Sequence, residues 1–280
     1  MLVCPFQAWS YDLDGRLRVA PRMETCHDFN IGDFGLPEFP VRTHDGFAFI
    51  HTGGGQDRAK DRIGDFSERH APWSLDKLVT TRVREFDVEC NWKAFLEVFN
   101  EYYHLPLVHP DTLRSFYLEP DPPEPVTGEY ITQFGATEGA AGILVKDQDS
   151  ALPIIPGLDG RNASGTRYTW IFPAMTFAVS HDSFWMYQAF PLAADRCHVI
   201  LTIAFPESSL ELPDFDERSE KYCERIDVAL DEDIPFLIDQ QAGMASPYAC
   251  QGRFSALEPS VGYFACWYAE RMGNDAAPGA

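Results

Sequence analysis

Apolar and polar positions change their period several times along the chain, and each change marks an element. Up to residue 51 the apolar residues come in short runs cut by turn formers. Trp9-Ser10-Tyr11-Asp12 leads into Asp14-Gly15, then Leu17-Arg18-Val19, and later Gly46-Phe47-Ala48-Phe49-Ile50-His51. This pattern predicts short strands joined by tight turns. Gly53-Gly54-Gly55 and the mostly polar dozen residues after it predict a boundary. Over residues 82–104 the period turns helical. Trp92, Phe95, Leu96, Phe99 and Tyr103 recur at spacings of three and four and make one apolar face. Pro106 is expected to end or kink that helix. Residues 128–205 return to strand character, in runs at 165–172, 176–180, 184–190 and 198–205 separated by turn residues. That spacing predicts an antiparallel sheet. Ile226, Leu230, Ile234 and Leu237 predict a helix over 215–243, kinked or restarted at Pro235. A last helix is expected over 256–272, followed by a frayed tail from Asp275 to Ala280. No internal repeat or low-complexity segment interrupts this plan, which is α+β: helices packed on one curved antiparallel sheet.

Composition narrows the classes of function. With 45% hydrophobic and 14% aromatic residues, 280 residues can bury a sizeable core in one large domain, or in one large and one small. A formal net charge of −21 argues against nucleic acid and anionic membranes as partners, and reads most simply as solubility. The seven cysteines are scattered without a CxxC pair, which predicts a reducing cytoplasm rather than a disulfide framework. The start, Met-Leu-Val-Cys-Pro-Phe-Gln, has no signal-peptide character. No window is apolar for long enough to span a bilayer.

The candidate chemistry lies at His104 and His109. On an unbroken helix, residues five apart point about 140° away from each other and could not share a metal. A break at Pro106 lets the second imidazole swing back, and a third ligand must then come from elsewhere. Two imidazoles and one carboxylate, with open positions left over, suit Fe(II) and dioxygen. The pair alone is a weak motif: a packed histidine and a helix-start turn at His109-Pro110-Asp111 account for it as well.

The surroundings carry more. Asn91-Trp92-Lys93, Glu97, Glu101, Tyr103-His104 and His109-Pro110 together resemble the iron-binding stretch of Rieske-type ring-hydroxylating oxygenase α subunits. Val98 departs from that pattern, which usually has Asn there. The later stretch Glu232-Asp233, Gln240-Gln241, Gly243-Met244-Ala245-Ser246 is similar to the family's third-ligand helix. The resemblance covers essentially the whole chain. It implies a mononuclear Fe(II) held by His104, His109 and Asp233. It implies that Glu101, i−3 from His104 and on the same helix face, links the site to the iron–sulfur cluster of a neighbouring subunit. It also implies a helix-grip (START/Bet v 1-like) catalytic domain over residues 56–280, with a small all-β Rieske-domain remnant over residues 1–55. Without the resemblance, Asp233 reads as a solvated acid in Asp231-Glu232-Asp233.

Family members carry a [2Fe–2S] centre on two motifs, CxH and CxxH. Cys4-Pro5-Phe6-Gln7 is similar to the second, with Gln7 in place of the histidine, and Cys26-His27 lacks the spacing of the first. The expectation is therefore no [2Fe–2S] cluster in this chain. Electrons would come from a cluster-bearing homologous subunit and a reductase, in a trimer or hexamer, for hydroxylation or oxidative demethylation of a small molecule with O2. An iron enzyme doing non-redox chemistry and a structural subunit of an oxygenase assembly are the competing readings. By the Glu101–Pro106 and Gln240–Ser246 stretches the chain resembles the branch acting on choline-like amines, betaines and carnitine, and aromatic-acid oxygenases share these features. Trp170, Phe172, Phe177, Phe184 and Trp185 are the expected pocket walls, with plain core as the alternative for each.

Overall fold

The computed structural model of the chain describes residues 1–52, 62–113 and 120–274. The expected boundary at Gly53–Gly55 and the tail from Asp275 lie outside the described residues. Two compact units are present: Met1–Thr43 with Ala48–Ala59, and His44–Phe47 with Lys60–Ala280.

The smaller unit holds a three-stranded antiparallel sheet of β1 (Leu2–Val3), β2 (Ser10–Tyr11) and β3 (Leu17–Val19). The Asp14-Gly15 turn forms as the sequence predicts. Gly15 takes a positive φ of 77°, and the Asp12 carboxylate accepts the backbone N–H groups of Asp14 and Arg16 at 3.1 and 3.0 Å. A hairpin follows, from β4 (Val41–His44) and β5 (Phe47–Ile50).

A six-stranded sheet dominates the larger unit. Its strands are β6 (Leu78–Val88), β7 (Tyr130–Ala136), β8 (Gly165–Ile171), β9 (Met175–Val179), β10 (Phe184–Ala193) and β11 (Arg196–Pro206). The order is β6-β11-β10-β9-β8-β7, with every neighbouring pair antiparallel. Strands β8 to β11 are the four runs expected from the sequence, while β7 falls in the strand-rich span 128–205 without a run of its own. The helical reading of 82–104, by contrast, is wrong at its start, because residues 82–88 belong to β6. Val83 and Phe86 mimic a helical step there. The residues pair instead with β11 in a ladder from Leu78↔Pro206 to Val88↔Cys197. On one face of β6, Arg82 and Arg84 both reach Asp227 of a long helix, at 2.8 and 2.6 Å, an arrangement that requires a period of two.

Helix α2 (Trp92–Phe99), preceded by the short α1 (Phe66–His70), starts where Asn91 accepts the Lys93 N–H in its side chain at 3.0 Å, an N-cap. It buries Ala94, Phe95 and Leu96. It also ends sooner than expected. Asn100 turns its amide back onto the Leu96 carbonyl at 2.6 Å and accepts from Thr176 at 3.0 Å, so the chain leaves the helix six residues before Pro106. Pro106 instead sits in the first turn of α3 (Leu105–Val108), where its missing N–H costs nothing. After α4 (Glu207–Leu210), α5 runs unbroken from Phe215 to Met244 through Pro235, without the expected restart. The closing helix α6 (Pro259–Asn274) lies close to the expected span.

The core is aromatic. Phe264 of α6 stacks on Trp170 of β8 with centroids 4.1 Å apart, and Trp92 of α2 meets Phe264 edge-on at 6.0 Å. Two helices are thereby fastened to one point of the sheet. Phe264 is fully buried, so Phe264→Ala should cost about 3–5 kcal/mol through lost transfer energy and the cavity left behind. Urea unfolding should show a lower midpoint at an unchanged slope.

Candidate metal centre

His104 caps the start of α3 and His109 caps its end. Five helical steps would leave the two side chains about 140° apart, but His109 has left the helix, at φ −118° and ψ 47°, so its ring is not held to the helical direction. Their ring centroids lie 5.2 Å apart. The break that makes the pair is therefore the end of α3 at His109, and not Pro106, which lies inside α3. Asp233 comes from the middle of α5. One ligand atom from each of His104, His109 and Asp233 lies within 4.8 Å of the others.

The orientation is as informative as the distance. Asp233 Oδ1 stands 3.0 Å from His109 Nε2 and 3.7 Å from His104 Nε2. The same oxygen is buried, yet no neighbour is aligned to donate a hydrogen bond to it. Both imidazoles use the other nitrogen elsewhere. His109 Nδ1–H donates to Glu232 at 2.7 Å, and Glu232 also accepts from Thr112 Oγ1 at 2.7 Å. His104 Nδ1–H donates to Glu101, whose second oxygen accepts the backbone N–H groups of Tyr103 and His104. With the protons on Nδ1, both Nε2 lone pairs face the Asp233 carboxylate. Metal–nitrogen bonds of about 2.1 Å between adjacent coordination positions put donor atoms about 3 Å apart. Two neutral imidazoles and a carboxylate with an unbonded oxygen thus fit a divalent ion.

Glu101 makes the contact with His104 that its position suggested, by a different route. It lies in the turn after α2, so no shared helix face brings it there; its carboxylate caps the Tyr103–His104 backbone and meets the ring on the way. Glu232 was not singled out in the sequence. Its place beside Asp233 was the only signal: adjacent helical residues diverge by about 100°, which lets one carboxylate face His109 Nε2 and the next hold Nδ1. His109 is almost fully buried. Burial disfavours its charged form, but the Asp233 and Glu232 carboxylates outweigh that and raise its pKa above the usual imidazole value, so a metal ion at Nε2 would take the place of a proton there.

The three residues line one end of a cleft whose empty space, with the solvent at its mouth, is about 480 Å³. Phe99, Tyr102, Tyr168, Trp185 and Tyr187 make its aromatic walls. Of the five expected wall residues, only Trp185 lines this cavity. Phe177 and Phe184 pack with Phe47 and each other, while Phe172 and Trp170 lie under α6. Alternation along β10 explains part of this, since Trp185 and Tyr187 share a face that Phe184 does not. A second cavity, open to solvent, adjoins the first: Glu101, His104, Asp233 and Val98 border both, and Glu97, Phe236 and Gln240 border the second alone.

A fold and site of this kind define a catalytic domain, and the match to known families agrees. The model of the ring hydroxylating alpha subunit catalytic domain matches residues 67–274, and the chain belongs to that family. It is therefore an oxygenase-type oxidoreductase. It is 25% identical to the glycine betaine monooxygenase oxygenase subunit of Pseudomonas aeruginosa (strain UCBPP-PA14), over 98% of this chain and 70% of that one. It is 23% identical to the chloroplastic choline monooxygenase of Arabidopsis thaliana, spanning 94% of this chain and 61% of the plant protein. The fold matches the quaternary ammonium Rieske monooxygenase CntA bound to L-carnitine with a TM-score of 0.73 at 22% identity, covering 96% of this chain and 70% of that one. Naphthalene 1,2-dioxygenase from Rhodococcus follows at a TM-score of 0.72 and 14% identity, covering 98% and 76%. Among the described residues, no helix is long and apolar enough to cross a membrane.

Proposed function

We propose that this chain is a cytoplasmic mononuclear non-haem iron oxygenase subunit. His104, His109 and Asp233 hold Fe(II), and electrons come from a cluster-bearing partner subunit served by a reductase. The observation that carries the reading is the paired arrangement of the imidazoles, each hydrogen-bonded to a carboxylate at Nδ1 and facing Asp233 with Nε2. When bound, Fe(II) in such a site supplies dioxygen activation. The protein's own contribution is orientation: Glu232 and Glu101 fix the imidazole tautomers and make the rings better ligands. Glu232→Gln should therefore weaken iron binding by about 10–100-fold without abolishing it, a loss that competition with a chelator would measure.

The aromatic walls suit a quaternary ammonium, held by cation–π attraction over Phe99, Tyr168 and Tyr187. This agrees with the names of the betaine, choline and CntA relatives. Hydroxylation or oxidative demethylation of such a small molecule is the proposed reaction. Glu101 borders both cavities, so a donor in the outer one would meet the site through its carboxylate. CntA is described as transferring electrons between subunits. Residues 1–55 are proposed as a Rieske-domain remnant without its cluster, given Gln7, and residues 56–280 as a helix-grip catalytic domain. The chain divides into two compact units near that boundary, with Ala48–Ala59 in the smaller and His44–Phe47 in the larger.

The test is co-expression with a cluster-bearing homologue. The two should co-purify as a trimer or hexamer, and oxygen uptake coupled to product should need both chains and a reductase. Turnover by this chain alone without reductant would assign non-redox iron chemistry instead. Assembly without any turnover would assign a structural subunit.

A further inference from the structure

Val98, Glu101, His104 and Asp233 border both the inner, aromatic cavity and the outer one. Glu101, His104 and Asp233 belong to the metal centre. Val98 does not, and it is the position at which the sequence departs from the family pattern. Its place follows from the helix. Glu97 borders the outer cavity and not the inner, whereas Phe99 borders the inner and not the outer. Each residue of α2 is turned about 100° from the one before, so Val98 falls on the seam between them. Its side chain is partly buried and packs against the core. A β-branched side chain in a helix strongly prefers one rotamer, which makes it a stiff partition.

The polar atoms along the seam are largely in use. Glu101 accepts from His104 Nδ1 and from two backbone N–H groups. His104 Nε2 faces Asp233, whose Oδ1 is left for the metal. A buried water needs about three polar partners, and valine offers none. On the oxygenase reading above, on which this inference rests, a partner covers the outer cavity and a substrate fills the inner one. The seam is then the way left for water between them. We propose that Val98 is a dry partition that keeps water of the outer cavity from the substrate side, and so sets how much of the oxygen consumed ends in product. Coupled turnover takes two electrons and two protons with each O2, puts one oxygen atom into a C–H bond and releases the other as water. The competing reaction takes the same two electrons and two protons and releases hydrogen peroxide. In both, the electrons come from the cluster-bearing partner. Water on the seam carries protons to the dioxygen before the substrate reacts, which favours peroxide.

Val98→Thr is the decisive variant, because it keeps the shape and adds a hydroxyl. Val98→Ala opens space instead, and Val98→Ile stays apolar. Crystal structures of the iron-loaded proteins should show an ordered water on the seam in Val98→Thr and none there in the wild type or Val98→Ile. The second readout uses the complex with a cluster-bearing homologue, a reductase, and glycine betaine as probe substrate. Peroxide released per O2 consumed should rise about threefold or more in Val98→Thr and Val98→Ala, and stay near the wild-type ratio in Val98→Ile. Iron content measured on the same samples should not fall, which separates a wet seam from a damaged metal centre. Peroxide at the wild-type ratio in Val98→Thr overturns the inference, whether or not water has entered, and leaves the metal centre standing. An equal rise in Val98→Ile overturns it too, as does an ordered water on the wild-type seam. If the wild-type complex does not turn over the probe, the reading of the reaction fails by itself. The water on the seam, present in Val98→Thr and absent from the wild type or not, then decides the partition. Protein that holds no iron fails the metal centre and this inference with it.

Discussion

Asp233→Ala is expected to purify folded but with no more than about a tenth of the wild-type iron. A site of three protein ligands keeps open positions for reaction and has no protein donor in reserve. Losing the carboxylate also removes the negative charge that offsets the metal's. His104→Ala should behave in the same way. His109→Ala should lose iron and some stability besides, because it leaves Glu232 and Thr112 facing a vacated, buried position. Metal analysis of the three variants, beside thermal melts, checks this. Full iron in both Asp233→Ala and His104→Ala would mean that the ion, if any, sits elsewhere.

Glu101→Gln should give the opposite dissociation of properties. Assembly should remain, and so should iron content at saturating iron, because the side chain is not a ligand and the amide fills the same space, although affinity should weaken as it does in Glu232→Gln. Turnover with a cluster-bearing partner should fall by about a hundredfold or more, at the upper end for changes in groups that hold metal ligands. The carboxylate accepts from His104 Nδ1 and from two backbone N–H groups at once. The amide can keep one of those bonds at His104 but loses the charge that strengthens it. It also loses the charged link between the inner cavity and the outer one. Single-turnover reduction kinetics would locate the loss. Slow electron arrival with normal substrate binding is expected, whereas normal electron arrival would make Glu101 only a brace for His104.

Much of this could be read from the residues, and the failures have physical causes. Strands β8 to β11 were legible because turn residues punctuate them at regular intervals. Strand β6 was not, because its charged and apolar residues alternate in a way that a helical period also fits near Val83 and Phe86, and only the ladder with β11 decides between them. The end of α2 was assigned to Pro106 because proline is the loudest helix breaker in the segment. Asn100 does the work instead, through hydrogen bonds to Leu96 and Thr176 that depend on tertiary packing. The convergence of His104, His109 and Asp233 was expected from the resemblance rather than from spacing, since 124 positions separate the second histidine from the acid. Glu232 escaped notice because it is an ordinary charged residue of a polar helix until the fold turns it inward. The aromatic walls were misplaced because a sheet covered on both faces is apolar on both faces, and the sequence does not mark which face meets the cavity.

The central claim is that one iron sits in a shell of two imidazoles and a carboxylate. Iron K-edge X-ray absorption on the purified chain, with total iron and acid-labile sulfide determined on the same sample, tests it most directly. The account predicts about one iron per chain, a first shell of nitrogen and oxygen near 2.1 Å, imidazole scattering beyond it and no sulfide. A shell of sulfur with a second iron behind it, and sulfide equal to the iron, would contradict it.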